Sequence, residues 1–119
     1  MRLGRRQEST AEVLFDPAKV DSVALSPDGG RVRLYIVSDA AWTGSDAQIT
    51  SLQEKIHNYV GFALDGQLAA DYPDAAGLPW EIVIDCQRGA PDARTADVLA
   101  RVGEAVRRHT GELIVLTPR

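Results

Sequence analysis

Between Ile49 and Ala63 the apolar residues Ile49, Leu52, Ile56, Val60 and Ala63 recur at spacings of three and four. That rhythm puts them on one stripe of an α-helix. Gln53, Glu54, Lys55 and Asn58 fall mostly on the other side. Ser45, three places before Gln48, has the spacing of a capping box. Asp46 is favourable near a positive helix end, and Gly66 supplies a left-handed stop. A helix over 45–66 is predicted. A second stripe of Leu99, Val102 and Val106, with Val98 and Ala105 beside it, predicts a helix over 91–109. Pro91 and Asp92 suit its first turn, Arg107, Arg108 and His109 its negative end, and Gly111 its stop.

Elsewhere the period falls to two, the signature of strands. Val20–Leu25 and Arg31–Ser38 flank Ser26-Pro27-Asp28-Gly29-Gly30, in which Pro presets one dihedral and Asp-Gly permits positive φ. These form a hairpin. Val23, Leu25, Val32, Leu34 and Ile36 make its inner face, and Arg31, Arg33, Tyr35 and Val37 the outer one. Trp80–Cys86 is a third strand, with Trp80, Ile82, Ile84 and Cys86 inward and Glu81, Val83 and Asp85 outward. Leu113–Thr117 is the fourth. Between the first helix and the third strand, Pro73 and Gly77 break a short helical or irregular stretch. The order β-β-α-β-α-β, with one apolar stripe per helix, predicts an α+β fold. Its form is a two-layer α/β sandwich, a four-stranded mixed sheet with two helices on one face. Residues 1–17 lack a clean period and read as a flexible tail, residues 18–119 as one domain.

Composition changes this picture little. The chain has 119 residues, enough for one modest core, and a net charge of −4. The charge argues against nucleic acid, and Arg31, Arg33 and Tyr35 on one strand are too few aromatics for an RNA-reading sheet. No apolar run approaches the roughly 20 residues that span a membrane. Neither a signal-peptide core nor a pair of cysteines is present, so a cytoplasmic location is expected. Arginine outnumbers lysine 11 to 2, a hint of a GC-rich bacterial genome.

The stretch Leu52-Gln53-Glu54-Lys55-Ile56-x-x-Tyr59-x-x-Phe62, followed by Gly66-x-Leu68-x-x-x-Tyr72-Pro73-Asp74-Ala75-x-Gly77, resembles a family of small bacterial proteins known only as a domain of unknown function. The likeness runs from Val20 to the C-terminus and is specific over 52–77. Asn is common in that family where this chain has His57. The resemblance implies a small bacterial α/β domain. It implies no activity and carries over no catalytic residue.

Candidate chemistry is sparse. Phosphate loops, zinc spacings and Gly-x-Ser-x-Gly are absent, so no cofactor, metal or catalytic residue is assigned. Cys86 has the inner parity of a core residue. From Ile56 to Gln87 there is no Lys or Arg but five acids, among them Asp65, Asp71 and Asp74. If these three converged they could hold a hard cation. Two function classes stay open. The first is a small non-catalytic interaction or regulatory domain, homodimeric or with a protein partner. It would use the open sheet face, where Tyr35, Val37 and Val83 form an apolar centre within a charged rim. The second is a small-molecule or metal-binding protein, or an enzyme, with a helix-end pocket of Trp42, His57, Tyr59, Asp71, Tyr72 and Asp74.

Overall fold

The computed structural model describes residues 14–118. Strand β1 is Ser22–Leu25 and β2 is Val32–Ser38; helix α1 is Asp46–Leu64. A short helix α2, Gln67–Asp71, and a 3-10 turn, Pro73–Ala75, lead to β3, Trp80–Cys86; helix α3, Ala93–Arg108, and strand β4, Glu112–Leu116, follow. The sheet order is β1-β2-β3-β4; β1 runs antiparallel to β2, and β2, β3 and β4 run parallel. This is the four-stranded mixed sheet and the β-β-α-β-α-β order that the periodicity predicts, with α2 filling the stretch read as short helix or irregular chain.

The register aligns the two inner parities. Val32, Leu34 and Ile36 stand beside Trp80, Ile82 and Ile84. With Leu52, Ile56, Tyr59, Leu99 and Val106 they form the buried core between sheet and helices. At about 25 cal/mol per Å², each fully buried Leu or Ile side chain contributes about 2 kcal/mol against the entropy of ordering the chain.

Ser45 caps α1 by accepting a hydrogen bond from Gln48 N. Gly66, at φ +91°, ends the helix as its αL position requires. The buried face of α1 is wider than its apolar stripe, because Gln48, Ser51, Lys55 and Tyr59 are buried on one flank of Leu52. Lys55, expected on the solvent side, is therefore a correction. The segment before β1 lies over this flank. Phe15 N donates to Ser51 Oγ at 3.2 Å, Lys55 Nζ to Asp16 O at 3.1 Å and Asn58 Nδ2 to Pro17 O at 2.8 Å. Residues 14–17, within the stretch read as a tail, are thus tied to α1, and residues 1–13 lie outside the described residues.

Helix α3 starts two residues later than expected. Asp92 is its N-cap, accepting from Thr95 N at 3.1 Å and Thr95 Oγ1 at 2.6 Å. These bonds favour the carboxylate and hold its pKa below the ordinary value, the Thr95 hydroxyl contributing most. Its end is also corrected. The left-handed residue is Thr110, at φ +71°, not Gly111. Gly111 is needed for space instead, because a Cβ there would stand under 3.0 Å from three atoms of the Trp80 indole.

Two glycine replacements should therefore move stability in opposite directions. Gly111→Ala drives a methyl into a rigid buried ring and should cost about 2 kcal/mol. Gly61 lies within α1, and a methyl added there would meet nothing within 4 Å. Gly61→Ala should stabilise by about 0.5–1 kcal/mol. Thermal unfolding of both variants beside the parent checks the signs.

Candidate functional site

The residues expected to build one pocket are spread over the molecule. Helix α1 has 19 residues and at 1.5 Å per residue is about 28 Å long. Trp42 precedes it; Asp71, Tyr72 and Asp74 follow it. Trp42 folds over the end of the core near the carboxyl end of β2. Its ring lies against Phe15 with centroids 5.7 Å apart, and its Nε1 donates to Gly89 O at 3.2 Å. Asp71, Tyr72 and Asp74 are exposed at the far end of α1. His57 is exposed while Tyr59 is buried, as a two-residue separation on a helix dictates. The two shallow grooves that His57 lines contain none of the other five residues. Among the described residues no three His, Cys, Asp or Glu side chains gather as a metal site, so Asp65, Asp71 and Asp74 do not form a cation cage.

Tyr59 instead belongs to a buried polar latch. Its hydroxyl donates to Tyr35 O at 2.6 Å and accepts from Asp21 N at 2.8 Å, so one phenol satisfies backbone groups of β2 and of the residue before β1. Asp21 returns across the same gap, its Oδ2 accepting from Val37 N at 2.8 Å. Its Oδ1 meets Lys55 Nζ at 2.9 Å, and that ammonium stands 5.9 Å from the centre of the Tyr59 ring. Lys55 is 2% exposed. Burial pushes the Tyr59 phenol up to about 12, helped by the nearby Asp21 charge and opposed by the Asp21 N–H.

Above this latch a cavity of about 400 Å³ opens beside the carboxyl end of β2. Lys19, Asp21, Asp39, Gln48 and Lys55 give it polar walls, and Phe15 and Val37 apolar ones. Gln48 is engaged with the loop before α1. Its Oε1 accepts from Thr43 N at 2.9 Å and its Nε2 donates to Ala41 O at 3.3 Å. Cys86, on the inner face of β3, is buried, and burial raises its thiol pKa. An inert core thiol follows.

The open sheet face carries three rows across the strands. One is Arg33, Glu81 and Glu112; the next is Tyr35, Val83 and Ile114; the last is Val37, Asp85 and Leu116. Glu81 is 4% exposed and paired with Arg33 at 2.7 Å, with Arg31 at 3.7 Å. The hydrogen bond to Glu81, and then contact with Tyr35, hold the Arg33 guanidinium above its ordinary pKa. The three interface candidates share this face, but unequally. Tyr35 and Val37 are half-buried, and Val83 is only 1% exposed within the single chain. Exposed apolar surface is found on β4, where Leu116, on this face, is 44% exposed and Val115, on the helix side, 39%.

Sequence reasoning thus missed Asp21 and Lys55 as partners, and the edge character of β4. The available signal for Lys55 was its position three residues from Leu52, within the arc that a broad buried face would cover.

Two measurements test the latch. Lys55→Met and Asp21→Asn should each destabilise by about 2–4 kcal/mol, and the double variant by clearly less than their sum, because the second change removes a group left unpaired by the first. Chemical denaturation of the four proteins gives the coupling. The fold favours the neutral Tyr59 phenol, so that stabilisation is complete below pH 10, the ordinary phenol value, and declines as pH rises towards 12. The stability gap between the parent and Tyr59→Phe should therefore narrow over that window and stay constant between pH 7 and 9.

Comparison with known proteins places the chain but assigns it no activity. Residues 13–117 match a family described as "Family of unknown function (DUF6572)". No curated protein and no solved structure matches the chain. Among the described residues no helix is long and apolar enough to cross a membrane. With the match running from the segment over α1 to the end of β4, the chain belongs to this family of unknown function.

Proposed function

We propose that this chain is a small non-catalytic protein-interaction domain that docks through the β4 side of its sheet and works as a homodimer. The observation that carries the reading is the pair of adjacent exposed apolar side chains on edge strand β4, where Val115 and Leu116 stand open beside half-buried Ile114. Apolar centres with a charged rim are how interfaces are built, and Arg33 and Glu112 provide such a rim on the open face. Val83 is already covered, so Leu116 is the better position at which to disturb docking.

A second reading, a small-molecule binding protein, is favoured by the cavity beside the carboxyl end of β2. Ligands of parallel α/β sheets commonly sit outside the carboxyl ends of the strands. It ranks second because Lys55, Asp21 and Gln48, the polar groups that would recognise a ligand there, are already bonded within the chain.

Light scattering separates the two. The interaction reading expects a mass above the 12.9 kDa of one chain, reduced to one chain by Leu116→Lys with the unfolding temperature little changed. The ligand reading expects a single-chain mass and a thermal response to one member of a panel of metabolites. Ligand at 100 times its Kd adds about 2.7 kcal/mol, roughly 10 °C for a domain of this size. A single-chain mass at every concentration, with such a response, would overturn the interaction reading.

A further inference from the structure

Both edge strands, β1 and β4, are paired on one side only among the described residues, but their surroundings differ. At the β1 edge the strand is four residues long, and the chain before it is fastened by Asp21 to Val37 N and by Tyr59 to Asp21 N. Strand β4 pairs with β3 on one side, and among the described residues nothing pairs with its other side. Its sequence, Glu112-Leu113-Ile114-Val115-Leu116, contains no lysine, proline or glycine. Such an edge presents a row of free backbone donors and acceptors beside apolar side chains, and proteins normally blunt it or pair it.

Beside this edge, between α3 and β4, runs a groove of about 530 Å³. Ala96, Ala100 and Gly103 line its helix side, Leu113 and Val115 its sheet side. Gly103 is buried against Leu113, while Ala96 and Ala100, four residues apart, are exposed, so the flank of α3 that looks past the edge is small-sided and allows close approach of another helix. Unpaired strand and smooth helix flank therefore face the same direction, one above the other.

We propose that this two-layer edge is the seam of a homodimer in which β4 pairs antiparallel with β4 of a second copy about a two-fold axis through Ile114. The proposal rests on the interaction reading above and gives its dimer a strand register. The symmetry accounts for both layers at once. A two-fold axis perpendicular to the sheet sets Glu112 opposite Leu116, Leu113 opposite Val115 and Ile114 opposite itself, using all five residues of the strand. It also turns the two grooves towards each other and lays α3 antiparallel to its copy. The crossover from β3 to β4 seats α3 over that strand pair. With strands about 4.8 Å apart, the two helices would then lie about 10 Å from each other, the distance at which helices pack through small residues. Helix α3 is about 24 Å long. A helix-on-sheet edge roughly 20 Å high then removes about 1,000 Å² from water in total, the size at which a specific interface begins. Glu104 and Arg107 at the rim of the groove remain at the water boundary. A second copy fits better than a foreign strand, because a lone strand would satisfy the β4 ladder and leave the flank of α3 open.

Cysteine scanning over 112–116 tests the geometry in the 119-residue chain, where Cys86 is buried and does not compete. Directly opposed residues of an antiparallel pair have Cα atoms about 4.5–5.5 Å apart, within disulfide reach. Ile114→Cys alone should shift the chain from 12.9 kDa to twice that mass on mild oxidation. Glu112→Cys alone should not, but should do so when mixed with Leu116→Cys. Cross-linking that is strongest at Tyr35→Cys on the open face would overturn this seam while leaving an interaction domain. The absence of cross-linking at all five β4 positions, in a protein that light scattering finds dimeric, would do the same. A protein with single-chain mass throughout would overturn the seam and the homodimer together.

Discussion

Seven residues of β2 run parallel to seven of β3, and no short turn can join such a pair. The chain must return across the sheet, and it does so through α1. A right-handed crossover fixes the side on which α1 lies, and the next crossover, through α3, fixes the same side. Both helices then cover one face, and the inner parities of β2 and β3 fall to 0% exposure between Val32 and Ile84, with Trp80 at 6%. The same constraint separates the two ends of α1. Trp42 is left at the carboxyl end of β2 and Tyr72 near the start of β3, so candidates that flank one helix in the sequence are held apart in space.

Where the parallel pair ends, backbone groups of β2 need partners that the short β1 does not reach. Tyr59 and Asp21 supply them, and Lys55 balances the Asp21 carboxylate from within the helix. An ion pair this buried is weak evidence of added stability, since desolvation offsets most of the attraction. Its effect is to fix position. Broken on one side it leaves a buried charge, so the segment from Phe15 to Asp21 has one favourable seat on α1. The cavity beside β2 is a consequence of that seat, walled by groups that already answer one another. At the opposite edge no such device is present among the described residues, and β4 keeps both its free ladder and its apolar side chains. The exposed apolar side chains of β4, with the groove of α3 beside them, are why docking there is preferred to chemistry at the cavity.

The sandwich was legible because period and punctuation agreed. Alternation at Val32–Ile36 and Trp80–Cys86, the three-and-four spacing from Ile49, the Ser45 cap and Gly66 each depend only on neighbours within a few residues, so a linear reading finds them. Gly111 shows the limit. A glycine after a helix reads as its left-handed stop, yet Thr110 takes that conformation and the glycine makes room for Trp80, 31 residues earlier. Lys55 is a second case. A charge beside an apolar stripe reads as solvent-facing until another segment covers it, and that cover comes from residues 16 to 21.

The candidate residues divide in the same way. His57 as a surface residue and Cys86 as a core residue follow from helix and strand parity. That Tyr59 would serve backbone atoms, that Val83 would be covered by its own sheet, and that β4 would end the sheet all depend on strand order. By itself, then, the sequence determined the elements, the apolar stripe of each helix, the inner parity of β2 and β3 and most of the caps, because these arise from local periodicity and local hydrogen bonding. Only the tertiary structure decided which strand is the edge, which charge is buried and which surface is left apolar. Those outcomes are set by pairings between segments tens of residues apart, and nothing in the spacing along the chain specifies them.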